Sequence, residues 1–346
     1  MYNLIKAYIS RCLSDNEYAL THWAGNGAIA KLEYKLRSHY SAKHVLCVDS
    51  ATNGLMYLLL ATGLRRSEII TTPLSYGGTI AGALSLECKF HFADIDNSLN
   101  LNPDSVFEIL EQGKNIKAII AVDFAGNPHD VRAIHQICDN KRIWHFVDAA
   151  QSLGASYDGD AVQFCDAMVV SFGSGKTIFA GGKGGAIVTN NTELYNRLVS
   201  ICQHPHRQER DLGIGLSHEF ALNGGIHPLS AITACEMFEK GLTMREEKRK
   251  VMTAISDILS SFSSVSSISS QAGSTFYHYP FVVEDENLFA CEFSASPLRN
   301  DYYAQKAPFI PLPVQLERAG LSRLIKTSSC PTLSQIVDKI YVLHSK

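Results

Sequence analysis

Residues 168–189 read MVVSFGSGKTIFAGGKGGAIVT. The apolar run at 168–170 predicts a buried strand that ends in a Gly/Ser-rich turn carrying Lys176. Four glycines follow between residues 181 and 185 and lead into a second apolar run at 186–189, which predicts a strand added by a hairpin. A lysine at the end of a buried strand is partly desolvated, so its neutral amine becomes available as a nucleophile and proton carrier.

Further apolar runs precede this strand, and segments of helical length separate most of them. Such a series is typical of an α/β layer with a mainly parallel sheet. We therefore predict an α/β fold. The additional predicted strands lie at residues 44–48, 68–71, 89–93, 118–122 and 143–147.

The rest of the chain predicts a second, smaller domain. A helical stretch runs from Pro228 to about Leu259, and a serine-dominated segment at 260–270 predicts a surface loop or an interdomain connection. Alternation at 275–283 predicts a strand of the smaller domain. The predicted domains are 1–240, the large one, and 241–346, a small α/β domain.

The N-terminal region predicts helix over residues 1–40, with a break at 25–27, and this helix could pack on the small domain. Residues 1–19 mix charged and apolar side chains and lack the apolar stretch of a signal peptide. No segment has the roughly 20 apolar residues that a membrane-spanning helix needs. We therefore expect a cytoplasmic protein without a membrane partner.

Composition narrows the class of partner. The chain has 346 residues, of which 46% are hydrophobic and 19% charged, and a net charge of -3. These values are typical of a globular enzyme, and they give no basic field for nucleic acid, so a small-molecule substrate is expected. The nine cysteines are scattered without a Cys-x-x-Cys pair, which indicates reduced thiols.

Polar residues follow the predicted strands at their carboxyl ends, where ligands gather in α/β sheets. The strand at 143–147 is followed by Asp148, and Gln151 comes three positions later. A partly desolvated carboxylate there could hold a proton on a pyridine nitrogen, and Gln151 could reach a hydroxyl on the same ring. Asp148 is equally well explained as a helix N-cap, so this position alone leaves both interpretations open.

Two more turns supply groups that suit a phosphorylated aromatic ring. Ala51 and Thr52 lie between a predicted strand and a helix N-terminus, which makes an anion site, although they would also pass as an ordinary helix cap. The hydroxyls and amides around Ser171 suit a phosphate as well. Tyr76 could stack on an aromatic ring, but a tyrosine beside a strand end often serves only in packing.

Residues 173–177, Gly-Ser-Gly-Lys-Thr, also resemble the end of a Walker A loop. That motif has a glycine where this chain has Val170, and it continues into a helix. The glycines between 181 and 185 are poor helix formers, so a nucleoside triphosphatase is the weaker interpretation.

These segments, in this order, resemble the DegT/DnrJ/EryC1/StrS family of pyridoxal-phosphate aminotransferases. The resemblance covers about residues 25–235, and its short motifs are specific through their ordered recurrence. It implies the type I aminotransferase fold, with a mainly parallel sheet in the large domain and a smaller α/β C-terminal domain. Further matching motifs lie at 92–96 (FADID), 122–128 (VDFAGNP) and 182–189 (GKGGAIVT).

The resemblance implies catalytic roles for Lys176 and Asp148. Lys176 matches the lysine that carries pyridoxal 5′-phosphate as a Schiff base, and Asp148 matches the partner of the ring nitrogen. Gln151 matches the partner of the ring hydroxyl, and Tyr76 matches the aromatic residue stacked on the ring. The implied reaction moves an amino group from an amino acid, by analogy glutamate, to a keto sugar, expected to be nucleotide-linked, for amino-sugar or surface-polysaccharide biosynthesis.

The resemblance also implies how the phosphate is held. Ser171, Ala51 and Thr52 match the phosphate cradle. Asn223 matches an asparagine that reaches the phosphate from the neighbouring subunit, which implies a homodimer with shared active sites.

The chain departs from the family pattern at two positions. Gly225 stands where the family commonly has arginine, and Lys183 interrupts a run in which the family commonly has glutamate. The match also fades past residue 240. These regions shape substrate recognition, so the identity of the sugar stays open, including a free sugar acid.

Three other functions compete. A sugar dehydratase of the same family commonly has histidine in place of Lys176. A cysteine desulfurase or other pyridoxal-phosphate lyase would use a mobile cysteine such as Cys291 or Cys330, but Gly175 stands where its histidine usually lies. A non-catalytic, regulatory cofactor-binding protein is disfavoured by the intact set of site residues.

One further cluster could suggest a metal. Cys202, His204, His206 and His218 are close in sequence, but they lack a recognised ligand spacing. We predict a polar loop near the dimer contact and no metal site. Arg207, in the same segment, is predicted to be a solvated surface residue.

Overall fold

The computed structural model describes residues 6, 10, 23–157, 161–214, 221–268 and 273–346. These residues form two β-sheets with helices packed around them. The strands are β1 (His44–Val48), β2 (Glu68–Thr71), β3 (Lys89–Phe92), β4 (Ile116–Val122), β5 (Trp144–Ala149), β6 (Ala167–Ser171), β7 (Gly185–Thr189), β8 (Val265–Ile268), β9 (Pro280–Val283), β10 (Tyr302–Lys306), β11 (Ile325–Thr327) and β12 (Ile340–Ser345).

The large sheet has eight strands in the order β1-β7-β6-β5-β4-β2-β3-β11. Neighbouring strands are parallel, except that β7 is antiparallel to both β1 and β6. The prediction of a mainly parallel sheet with one strand added after the glycine-rich turn is therefore confirmed. The small sheet is antiparallel throughout, in the order β10-β12-β9-β8.

Helices connect the strands and cover the sheets. The α-helices are α1 (Ala28–His39), α2 (Ala51–Ala61), α3 (Gly78–Ser85), α4 (Pro103–Glu111), α5 (Val131–Lys141), α6 (Thr192–Cys202), α7 (Pro205–Leu212), α8 (Pro228–Ser260), α9 (Glu286–Ala295), α10 (Leu312–Arg318) and α11 (Pro331–Ile336). No helix in this part of the chain is both long enough and apolar enough to cross a membrane.

The core explains why the predicted apolar runs became strands. Ile69, Ile120, Val169 and Ile187 are fully buried in neighbouring strands of the large sheet. Strands covered on both faces by helices need apolar side chains in both directions, which gives continuous apolar runs instead of alternation. The runs therefore predicted the central strands to within a few residues.

The C-terminal region differs from the prediction in its details. Strand β8 lies inside the serine-rich segment that was predicted to be a loop, and the strand predicted at 275–283 begins only at Pro280. Helix α8 passes through residue 240 without a break, and β11 pairs with β3 of the large sheet. The domain boundary at 240 stays a prediction.

An ion-pair network fixes helix α1 against the large sheet. Arg207 is only 1% exposed, and its two Nη atoms donate to the two carboxylate oxygens of Glu33 at 3.1 and 3.0 Å. Its Nε donates to Asp211 at 2.7 Å. Glu33 also accepts the backbone N–H of Cys47 in β1 at 2.9 Å. The prediction of Arg207 as a solvated residue was wrong, because two carboxylates compensate its buried charge.

The predicted N-terminal helix is only partly within the described residues. Its first half falls largely outside them, whereas its second half is α1. Helix α1 packs on the first half of α8, where Lys35 forms an ion pair with Glu239 at 2.8 Å.

Helix α8 approaches the turn between β6 and β7 through a glycine. A Cβ placed on Gly241 would lie 2.2 Å from the backbone oxygen of Thr177, the residue next to Lys176. That distance is far below van der Waals contact. Only glycine therefore allows α8 to pack this closely.

We expect Gly241→Ala to lower the free energy of unfolding by about 1–3 kcal/mol, the usual effect of overpacking. In a helix without this contact, the same change would raise the free energy of unfolding by up to about 1 kcal/mol. The sign of the measured change therefore shows whether Gly241 is packed against Thr177. Urea unfolding of the cofactor-free protein measures it, with the exposed Thr243→Ala of the same helix as control. A more stable Gly241→Ala would contradict the packing.

Candidate active site

The site lies at the carboxyl end of β5 and β6. Lys176 follows β6 in a turn, where its backbone N–H donates to the oxygen of Gly173 at 3.2 Å and Gly175 has a φ of 78°. No helix occurs between Ser171 and Gly185, all of which the structure describes. The Walker A interpretation therefore has no structural support, because a P-loop lysine sits at a helix N-terminus.

The amine of Lys176 is half-buried beneath an aromatic ring. Its Nζ lies 4.1 Å from the centroid of the Tyr277 ring, a cation–π distance. Tyr277 precedes β9 of the small sheet, so this contact joins the two sheets at the amine of Lys176.

Asp148, near the end of β5, is held in a defined orientation. The side chain is only 6% exposed. One carboxylate oxygen accepts the hydroxyl of Thr79 at 2.7 Å, and the other accepts the backbone N–H of Ala150 at 3.1 Å. Burial raises the pKa of Asp148, whereas the two hydrogen bonds and the positive charge of Lys176 act in the opposite direction.

Gln151 lies in the turn after β5, and its side-chain oxygen already accepts a hydrogen bond. Its Oε1 accepts the backbone N–H of Ala125 at 2.7 Å. The amide NH₂ group is therefore the part of the side chain that is available to donate to a ligand. This fits a partner that accepts a hydrogen bond, such as a ring oxygen.

The three residues predicted to hold the phosphate come together across the sheet. Ser171 of β6 pairs with Gly185 of β7, and a Cβ on Gly185 would lie 2.7 Å from the backbone nitrogen of Ala51. Ala51 and Thr52 begin helix α2, whose N-cap Ser50 accepts the N–H of Asn53 at 3.2 Å. Free N–H groups of a first helical turn suit an anion.

Tyr76 borders the same place. A Cβ on Gly78 would lie 2.8 Å from Thr52 Oγ1 and 2.9 Å from two atoms of the Tyr76 ring. The ring is 78% exposed, so it does not serve in the packing of the core. It is free to cover a ligand that lies between α2 and α3.

Asn223 stands apart from the other candidates. It is exposed, with a φ of 50°, and the adjacent Gly224 accepts the backbone N–H of Asp49 at 2.8 Å. Among the described residues, its side chain forms no hydrogen bond with the other site residues. Its predicted role across a dimer stays a prediction.

Two parts of the site were missed by the sequence analysis. Thr79, which holds Asp148, lies 69 positions away from it in the chain. The segment 274–278 is joined to the site by several hydrogen bonds and carries Tyr277. These bonds are Thr275 N to Gly126 O at 3.0 Å, Ser274 Oγ to Gly126 O at 3.2 Å, Thr275 Oγ1 to Gln151 O at 2.7 Å and His278 N to Ala125 O at 3.2 Å.

The competing interpretations find less support. Cys330 is buried, which raises the pKa of its thiol to about 12 and makes it a poor nucleophile. Cys291 is exposed on α9. His204 and His206 stack on each other, whereas His218 lies outside the described residues. Within the described ranges, no three His, Cys, Asp or Glu side chains converge so as to hold a metal ion.

The architecture is that of known aminotransferase structures. A DegT DnrJ EryC1 StrS aminotransferase from Brucella abortus superposes with a TM-score of 0.79 at 21% identity, covering 99% of this chain and 90% of the other. A Bacillus subtilis protein, NtdA, solved with bound PMP cofactor, gives 0.76 at 20% identity, covering 98% and 76%.

The model of the DegT/DnrJ/EryC1/StrS aminotransferase family matches residues 15–345, and the chain belongs to this family of pyridoxal-phosphate proteins. A Campylobacter jejuni UDP-4-amino-4,6-dideoxy-N-acetyl-β-L-altrosamine transaminase is 31% identical over 182 residues, which cover 52% of this chain and 48% of the relative. A Pseudomonas aeruginosa UDP-2-acetamido-2-deoxy-3-oxo-D-glucuronate aminotransferase is 30% identical over 254 residues, which cover 70% of this chain and 66% of the relative. The alignment spans about half the length of the first relative.

Asp148→Asn should stabilise the cofactor-free protein at neutral pH. Because burial raises the pKa of Asp148, the charged form is less favourable in the folded than in the unfolded chain. Asparagine removes that charge. Its oxygen can still accept the N–H of Ala150, and its NH₂ group can donate to the hydroxyl oxygen of Thr79, which reverses that hydrogen bond. The gain should shrink as the pH falls through the raised pKa and vanish below the unfolded value of about 4.

Urea unfolding of both cofactor-free proteins, repeated at a series of pH values, measures this difference. The exposed Asp257→Asn of α8 serves as the control for a change of net charge. A stability difference that is independent of pH would contradict the assignment of a buried, charged Asp148.

Proposed function

We propose that the protein is a pyridoxal-5′-phosphate-dependent aminotransferase that moves an amino group from glutamate to a keto sugar carried on a nucleotide. One observation supports this proposal above the others. The half-buried amine of Lys176 and the buried carboxylate of Asp148 share one site, close enough for the charge of Lys176 to lower the pKa of Asp148.

The site offers a suitable protein group for each part of the cofactor. Lys176 supplies an amine for the aldehyde, and Asp148 supplies an anion for the ring nitrogen. The NH₂ group of Gln151 suits the ring oxygen, because its own oxygen is already occupied. The N-terminus of α2 suits a phosphate, and glycine at 185 leaves the backbone beside it uncovered.

When bound, the cofactor supplies an electron sink for negative charge developing on the reacting carbon. Asp148 keeps a proton on the ring nitrogen, which maintains that sink. Lys176 would hold the cofactor through its amine, and the same amine, when free, would move a proton to and from the reacting carbon. A positioned acid–base group of this kind contributes roughly 10²–10⁴-fold in rate.

The remaining residues bind and orient. Ser171, Ala51 and Thr52 hold the phosphate, and the exposed ring of Tyr76 covers the cofactor face. Asn223 completes the cradle of the neighbouring protomer, so the active unit is a homodimer, which we place in the cytoplasm. Nucleotide-sugar names of the two curated relatives support the class of acceptor. Gly225 and Lys183 depart from the family pattern and leave the particular sugar open.

Incubation with pyridoxal 5′-phosphate, borohydride reduction and peptide mass spectrometry test the attachment. We expect the mass of the reduced cofactor on Lys176 alone, its loss in Lys176→Ala, and its retention in the exposed Lys183→Ala. Labelling of another lysine in the wild type would contradict the proposal, because a specific site requires one buried amine.

A substrate panel tests the reaction. Glutamate should convert the bound cofactor to its aminated form, and nucleotide-linked 3-keto and 4-keto sugars should restore the original form. Asp148→Asn should slow both half-reactions by at least about 10²-fold, since the ring would lose its proton. Equal activity with and without Asp148 would refute its role.

A further inference from the structure

A group of basic side chains borders the site on the side of the small sheet. His278 directly follows Tyr277, and the two rings are 4.5 Å apart. Burial, together with the positive charges of Lys176, Lys248 and His344, lowers the pKa of His278 to about 4. The three charged side chains that act on His278 are thus all basic.

The geometry of two elements brings these side chains together. In the small sheet, Val342 pairs with Pro280, and Leu343 N donates to Tyr279 O at 3.2 Å. Continuing that antiparallel register by one residue places His344 opposite His278.

Helix α8 supplies the third group from another direction. Gly241 packs against the backbone of Thr177, beside Lys176. Lys248 lies two helical turns further on, so it shares the face of Gly241 and is displaced by about 10 Å along the axis. Burial of its amine lowers the pKa of Lys248, although much of the side chain remains exposed.

These groups keep unused hydrogen-bonding capacity. Within the described residues, the Lys248 amine and the His278 ring form no hydrogen bond or ion pair with protein. The positive charge of a desolvated amine beside other basic groups is unfavourable, because desolvation and charge repulsion both oppose it. A bound anion would offset both of these effects. By contrast, Lys306 and Lys339 elsewhere on the small sheet each pair with a glutamate.

We propose that Lys248 and His278, with His344 behind them, form a carboxylate-binding subsite next to Lys176. The inference rests on the proposed function, because the subsite faces the amine that would carry the cofactor. The carboxylate belongs either to the amino donor, such as the distal carboxylate of glutamate, or to an acidic sugar acceptor. Both sources place an anion a few bonds from the reacting carbon.

Two matched pairs of unreactive probes distinguish these sources. UDP-glucuronate and UDP-glucose differ in a sugar carboxylate, and glutarate and butyrate differ in a distal carboxylate. Calorimetry on the cofactor-loaded protein measures each dissociation constant. We expect one pair to show about tenfold preference for the acid, as for one charge-assisted hydrogen bond.

That preference should fall to less than about twofold in Lys248→Gln and in His278→Gln. It should persist in Lys250→Gln, the exposed lysine two positions along α8. If the variants lose the preference for UDP-glucuronate over UDP-glucose, the subsite binds the carboxylate of an acidic acceptor. If they lose the preference for glutarate over butyrate, it binds the distal carboxylate of the amino donor. Equal weakening of both UDP-sugars would overturn the proposal, because the diphosphate would then be the bound anion. Unchanged preferences in both variants would overturn it too.

Borohydride labelling of Lys176 in each variant separates this inference from the proposed function. A labelled Lys176 with no carboxylate preference refutes the subsite and leaves the aminotransferase proposal intact. A carboxylate preference without labelling refutes the proposed cofactor attachment and leaves the subsite.

Discussion

The candidate site depends on one constraint: a carboxylate is buried near the end of a strand of the large sheet, where a negative charge is unfavourable. Asp148 is nearly buried, and burial raises its pKa. The structure opposes that effect with the hydroxyl of Thr79, the N–H of Ala150 and the charge of Lys176. On the proposed function, a protonated ring nitrogen beside this carboxylate would offset the cost of burying its charge.

This constraint requires residues that are distant in the chain. Thr79 and Asp148 are 69 positions apart, and Thr275 and Gln151 are 124 positions apart. The Lys176 amine is covered by Tyr277, which the same hydrogen-bonded segment positions. The Asp148 environment thus forms within the large sheet, whereas the cover of Lys176 forms only after residues 274–278 have docked.

The difference between local sequence patterns and contacts that are distant in the chain explains which features the sequence could predict. The central strands were predictable because burial on both faces produces uninterrupted apolar runs. The positions of Asp148 near the end of β5 and Lys176 after β6 followed from those runs, whereas their roles stay predictions. Strand β8 was not predictable, since its serines have no apolar alternation. Arg207 was placed wrongly because its main partner, Glu33, is 174 positions away. Thr79 and Tyr277 act only through tertiary contacts, which leave no local pattern.

The residues proposed to bind the cofactor and those proposed to bind a substrate carboxylate lie in different regions of the chain. The residues proposed to hold the cofactor within one protomer all lie between residues 51 and 176, on strand ends of the large sheet and the helices that follow. Lys248 lies on α8, His278 lies just before β9, and His344 lies on β12. Tyr277 contacts Lys176, whereas Asp148 is held by Thr79 and Ala150, so a substitution near Tyr277 leaves the hydrogen bonds of Asp148 in place. On the proposals made above, the residues assigned to the cofactor and those assigned to a substrate carboxylate therefore lie on separate elements of the fold.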